Sequence, residues 1–286
     1  MNIRKYTWIA ILGMSCSTSQ SQNFEVVTTL PKKIKESSAL EVVKGSSLLW
    51  TIEDQKNDPL LFGFTKNGQL EKTIRISNVS NHDWEDLTSD NEGNIYIGDF
   101  GNNDNQRQNL AIYKIDASDL NKENAKASSI VEFYYPEQTD FPPKKSELIY
   151  DVESFFFYND AFYLFTKNRS SKFDGTTILY KVENKSGEKI PAQKISTFKT
   201  CNQYSHCAIT SAAISPDFKK VALLTSDKVF LLTNFKGDDF FSGKSIEIDL
   251  GHYTQKEGID FENNTNLLIT DEASKKEGSN LYRLKL

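Results

Sequence analysis

The sequence predicts an all-β fold, a five-bladed β-propeller, with a six-bladed ring as the alternative count. Three observations carry that reading. Beyond residue 22, runs rich in Val, Ile, Phe, Tyr and Thr are separated by Gly/Asn/Asp/Ser/Lys turns at roughly ten-residue spacing, with no long amphipathic helix between them. The runs group into fours, which is the signature of a blade repeat. The last group is one strand short, while NFEVVTTL, residues 23–30, is left over at the other end.

The units follow in order. The first reads SSALEVV, SLLWTIED, LLFGFT and KTIRI; the second WEDLTSD, NIYIGDF, NLAIYKI and SIVEFYY. The third reads VESFFFY, AFYLFTK, TTILYKV and AQKISTF; the fourth TSAAISPD, KVALLTS, KVFLLTN and SIEIDL. The fifth has only EGIDFEN, LLITDE and LYRLKL, so the N-terminal strand completes it and closes the ring, which removes most exposed strand edges.

Composition sets bounds on the rest. The chain has 286 residues with 38% apolar content, 19 Phe and 12 Tyr, enough for a sizeable core. A net charge of −5 without a basic stripe argues against nucleic-acid binding. Residues 1–22 read as a signal peptide and tether, leaving 23–286 as the propeller domain. Arg4 and Lys5 precede a short apolar run too short to span a bilayer, and Cys16 follows it. That pattern resembles a bacterial lipoprotein signal with Cys16 as the lipidated N-terminus; cleavage near Gln22 is the alternative. The expected location is the bacterial cell envelope, lipid-anchored, or else secreted. Cys201 and Cys207 in CNQYSHC most simply form a disulfide in an exported chain, since a zinc site would find only His206 nearby.

In a propeller the first strand of each blade lines the central channel. The loops on the face where those strands begin are polar and elaborated, as in NVSNHDW, GDFGNNDNQRQ, TKNRSSKFDG and GHYTQKEG. On the opposite face the turns are plain, such as NEGN and YND. His82, His206 and His252 all fall in the elaborated loops, where function on such scaffolds resides. Aligned by alternation, the inner strands bring Ser38, Glu85, Glu153, Thr210 and Glu257 into one register. Carboxylates converging on an axis raise one another's pKa unless a cation neutralises them. Oxygen-only ligands in a roomy ring suit Ca2+. A water-filled channel with solvated polar residues is the alternative.

These strands resemble those of the five-bladed calcium-activated nucleotidases, the soluble apyrases, in which a ring of glutamates and serines holds Ca2+. The segments ESSAL, WEDL, VESF, ITSAA and EGIDF carry the likeness, which spans the inner strands of all five blades. It implies Ser38, Glu85, Glu153, Thr210 and Glu257 as the matching ligand positions. The chain is also similar to uncharacterised exported bacterial propellers and, more loosely, to phytase-like propellers.

No local hydrolase signature is present. GDDFFSGKS has five residues between its glycines and joins two strands, unlike a P-loop, and DFGNNDNQR matches a calcium-binding helix-loop-helix loop only in composition. Two functions therefore stand. One is a Ca2+-dependent hydrolase of phosphate esters or nucleotides, with Asp99, Arg107, Lys167 or Arg169 holding the anionic group and His82 or Asp83 carrying the proton. The other is a monomeric binding propeller whose polar face takes a small anionic ligand, a glycan or an envelope protein, touching the membrane only through its lipid.

Overall fold

Segments such as KVALL, AFYLFTK and NLLITD are apolar on both faces of a strand, which suits a sheet covered on both sides. The computed structural model describes residues 23–273 and 279–286, and places those segments centrally in five sheets, one per blade. Residues 1–22, read from sequence as a signal peptide and tether with Cys16, lie outside the described residues. Five hydrophobic clusters fill the five spaces between neighbouring blades, so each sheet is buried against the next around the ring. Trp84, fully buried, lies in the cluster between blades I and II, and Phe156, Tyr163 and Phe240 anchor the one between III and IV.

Blade II is built from Trp84–Ser89, Ile95–Asp99, Leu110–Ile115 and Ser129–Tyr134, and blade III from Asp151–Tyr158, Ala161–Lys167, Thr176–Glu183 and Gln193–Lys199. Blade IV comprises Ser211–Ile214, Lys220–Leu224, Lys228–Thr233 and Lys244–Asp249. Blade V comprises Lys256–Asn263, Asn266–Asp271 and Asn280–Lys285, and Phe24–Thr29 pairs antiparallel with the last of these, Phe24 opposite Leu284. The ring closes as the unequal ends of the sequence require, with five blades and not six.

Blade I departs from expectation. Leu49–Thr51, Leu60–Phe64 and Leu70–Ile76 are strands, but SSALEVV holds to the sheet only through bridges at Ser37–Glu53 and Glu41–Trp50. Side chains take over its backbone groups. Thr51 Oγ1 donates to the Ala39 carbonyl at 2.7 Å, and Asp260 of blade V accepts from Val42 N at 2.7 Å. Two further strands, Asn124–Ala125 and Ile190–Pro191, run parallel to the outer strands of blades I and II. Each comes from an excursion of the following blade and covers an edge that would otherwise be open.

Inner strands of a propeller do not pair with one another, so their channel-facing N–H groups need other acceptors. Neighbouring blades supply them. Buried Asp86 accepts from Phe155 N and from Ser211 Oγ, both at 3.2 Å, and Thr88 Oγ1 accepts from Phe157 N at 2.9 Å. Burial holds the Asp86 carboxyl well above the usual range and pushes Asp260 up to about 7. The rear end of the channel, expected to be framed by plain turns, opens into a cavity of about 510 Å3 lined by Glu41, Phe157, Phe218 and Asp260.

Candidate functional site

The glutamates of the inner strands share one backbone device. In blade II, Trp84 pairs with Asp99 and Asp86 with Gly98, leaving Glu85 as the extra residue of a β-bulge. Blade III repeats this around Glu153, between Val152 and Ser154, and blade V around Glu257, between Lys256 and Gly258. A bulge bends a strand and re-aims the side chain it carries. Three blades therefore carry a glutamate at the same irregularity, at the mouth where the elaborated loops gather.

The remaining two positions bear hydroxyls, and both reach into the next blade. Ser38 Oγ donates to Trp84 O at 3.4 Å, and Thr210 Oγ1 donates to Lys256 O at 2.6 Å. Each carbonyl belongs to the residue just before a bulged glutamate. The hydroxyls of blades I and IV thus hold the bulges of blades II and V, and their oxygen lone pairs stay free for another partner.

Charge at the mouth is lopsided. Glu153, 5% exposed, takes Lys167 on Oε2 and Arg169 on Oε1. Arg169 also bonds Asp151 Oδ2 at 2.6 Å and the Tyr204 hydroxyl at 2.5 Å. Among the described residues Asp54, Asp83, Glu85 and Glu257 belong to no ion pair. Burial, then Glu153, Asp83 and Asp151, holds Glu85 well above the usual carboxylate range. Burial and Asp151 push Asp83 up to about 6 despite Arg107. For Glu153 burial outweighs Lys167 and Arg169, and the carboxyl rises to about 7. Burial with Glu36 and Glu257 brings Asp54 to about 7, and burial with Glu257 brings Glu272 to about 10.

The GDFGNNDNQR loop lies against this cluster. A Cβ at Gly101 would fall on the carboxylates of Glu85 and Asp83, so any larger residue there must push those side chains aside. Asp83 Oδ1, Asn102 Nδ2 and Asn103 Oδ1 are buried without hydrogen-bond partners among the described residues. Beside them Asp99, fully buried, accepts from Arg107 Nη2 at 2.7 Å, from Tyr113 Oη at 2.9 Å and from Asp83 N at 3.1 Å. His82 Nδ1 lies 3.1 Å from Asp99 Oδ2, and the imidazole is half exposed. Across the mouth, Cys201 and Cys207 are disulfide-bonded and carry Tyr204 to Arg169.

The sequence-predicted residues thus fall into three groups. Ser38, Glu85, Glu153, Thr210 and Glu257 mark the inner strands at the mouth. Lys167 and Arg169 sit on Glu153. His82, Asp99 and Arg107 form a bonded cluster behind Asp83. Arg107, Lys167 and Arg169 are each already paired with a carboxylate, so an anion arriving at this mouth meets no unpaired one of these cations. Sequence reading missed Asp54, Asp151 and Glu272. Asp151 had a signal, because Asp-Val-Glu at 151–153 repeats Asp-Trp-Glu at 83–85; the other two come from loops without a repeat.

The oxygen-only donor set fits a hard cation: two bulged glutamates, Glu85 and Glu257, without counter-ions among the described residues, hydroxyls with free lone pairs, and the orphaned oxygen of Asp83. Among the described residues no three acidic, His or Cys side chains converge as a finished metal cage. The Glu153 side is taken by Lys167.

The fold and this mouth define a β-propeller with an acidic channel entrance. No protein-family model matches the chain, and no curated protein matches it. Among solved structures it is similar to the PQQ-bound aldose sugar dehydrogenase of Streptomyces coelicolor, at 10% identity and TM-score 0.54, covering 92% of this chain and 97% of that one. It is also similar to the β-propeller domain of Cps50 (Swd1) from Myceliophteria thermophila, at 9% identity and TM-score 0.48, covering 92% of this chain and all of that one. The dehydrogenase likeness supports the propeller fold and nothing further. No helix among the described residues is long and apolar enough to cross a membrane, and the disulfide fits an oxidising compartment.

Proposed function

We propose that this protein is a cation-dependent binding propeller of the cell envelope, exported by its N-terminal signal and anchored through Cys16. Its cation is Ca2+, held by Glu85, Glu153 and Glu257 with the hydroxyls of Ser38 and Thr210. One observation carries the reading: three blades place a glutamate at the same β-bulge at one channel mouth, and Glu85 and Glu257 have no counter-ion among the described residues. When bound, the cation neutralises these carboxylates and gives an acidic mouth an attachment point for an oxygen-rich ligand, whether a small anion, a glycan or an envelope protein. The chain's own contribution is to hold the bulges through Ser38 and Thr210 and to frame the mouth with the Tyr204 and Gly101 loops.

A second reading, a Ca2+-dependent hydrolase of phosphate esters or nucleotides, is favoured by the His82–Asp99 pair. A buried carboxylate on Nδ1 orients an imidazole for proton transfer at its other nitrogen. The inner-strand likeness to the soluble apyrases points the same way. Metal analysis of the purified protein, followed by a nucleotide and phosphoester screen with Ca2+ or EDTA, separates the two. Binding alone predicts retained Ca2+ and no turnover. Hydrolysis predicts turnover that EDTA removes and that His82→Ala strongly reduces. A protein that takes up no divalent metal contradicts both.

A further inference from the structure

We propose that Lys167 is the mouth's tethered counter-ion, and that a divalent cation reaches Glu153 only by displacing it; this rests on the cation-dependent reading above. Lys167 ends the second strand of blade III, in register with Asp151, so its backbone lies beside the bulge that carries Glu153. Its side chain is buried, 8% exposed for the residue as a whole, and its ammonium caps Glu153 Oε2 while Arg169 holds Oε1. Glu153 is therefore the one bulged glutamate neutralised by protein cations among the described residues. The charge of Lys167 also reaches Glu257 and Glu85, the bulged glutamates of blades V and II.

The two cations on Glu153 are held differently. Arg169 is fixed by Asp151, Glu153 and the Tyr204 hydroxyl together. Among the described residues Lys167 hydrogen-bonds to Glu153 alone, through a compact, strongly hydrated charge on a flexible stem. Lys167 is thus the group able to leave, and its departure frees Oε2 while Arg169 keeps Oε1. A monovalent ion gains little by replacing an ammonium of equal charge. A divalent ion brings twice the charge to glutamates that Lys167 touches only through space, so the exchange selects for divalent cations. Lys167 thereby acquires a role opposite to holding an anionic ligand.

The test is titration of EDTA-stripped wild-type, Lys167→Met and Lys167→Arg proteins with Ca2+, beside amine acetylation of the wild type read by mass spectrometry. Lys167→Met is expected to bind Ca2+ roughly tenfold or more tightly than wild type, because a competing charge is gone. Lys167→Arg is expected to bind no tighter than wild type. Acetylation at Lys167 is expected to rise when Ca2+ is added, a readout that stands even where a variant fails to fold. Equal or weaker binding by a folded Lys167→Met protein, or unchanged Lys167 labelling while Ca2+ binds the wild type, overturns the proposal and leaves the Ca2+ reading intact. Failure of every protein to bind Ca2+ overturns both.

Discussion

Glu85 acquires its chemistry from where the backbone puts it. On an ordinary strand start it would be a solvated carboxylate; on a bulge beside Asp83 and Glu153 it is crowded by like charge and only partly exposed. A carboxyl whose pKa is higher in the folded than in the unfolded chain binds more protons when folded. Its contribution to stability is therefore present at low pH and lost as pH rises from the unfolded value near 4 through the folded one. Asp83 at about 6, and Asp54 and Glu153 at about 7, place that loss between about pH 4 and pH 7. The melting temperature in EDTA is accordingly expected to fall across that range. Saturating Ca2+ should remove the part belonging to the mouth and leave the part belonging to Asp260, which lies deeper in the channel. A melting temperature that rises with pH in EDTA would contradict this. At this scale much was readable from sequence, because alternation places Glu85, Glu153 and Glu257 in register. Asp54 and Glu272 were not readable, since irregular loops deliver them. Nor was the pairing of Lys167 with Glu153, which depends on which cross-strand neighbour a bulge selects.

At the scale of elements, local devices set the mouth's shape. The bulges aim the glutamates, the hydroxyls of Ser38 and Thr210 tie the bulges of blades II and V to the preceding blade, and the disulfide loop positions Tyr204 against Arg169. The Cys201–Cys207 pairing followed from spacing and compartment alone, and the bond is formed, with Cα atoms 5.5 Å apart. Closing so short a loop stabilises by about 2 kcal/mol on chain-entropy grounds. For a domain of this size that corresponds to roughly 4–8 °C of melting temperature. Replacing both cysteines with serine is expected to lower the calorimetric midpoint by that amount and to leave the fold intact, as far-ultraviolet circular dichroism would report. No change in midpoint would mean that the loop is held by its other contacts. The inner segment of blade I was misread as a full strand because its apolar alternation is genuine. What alternation could not reveal is that Thr51 and Asp260 capture its backbone groups.

For the whole molecule, closure explains both ends of the sequence. Phe24–Thr29 completes blade V, and among the described residues five inter-blade cores form a continuous belt. The repeat made this legible, since each unit needs its neighbours to bury both sides of its sheet. The parallel edge strands at Asn124–Ala125 and Ile190–Pro191 escaped notice because two residues carry no periodicity. Ring geometry also brings carboxylates from separate blades to one mouth, and the central claim is that a divalent cation answers that convergence. Isothermal titration of EDTA-stripped protein with Ca2+ at neutral pH, wild type against Glu85→Gln, tests it most directly. The wild type is expected to bind one Ca2+ per chain, with affinity in the roughly micromolar to millimolar range of exchangeable sites. A loss of roughly ten- to a hundredfold is expected in Glu85→Gln. No binding by the wild type at millimolar Ca2+, or equal binding by the two proteins, would contradict it.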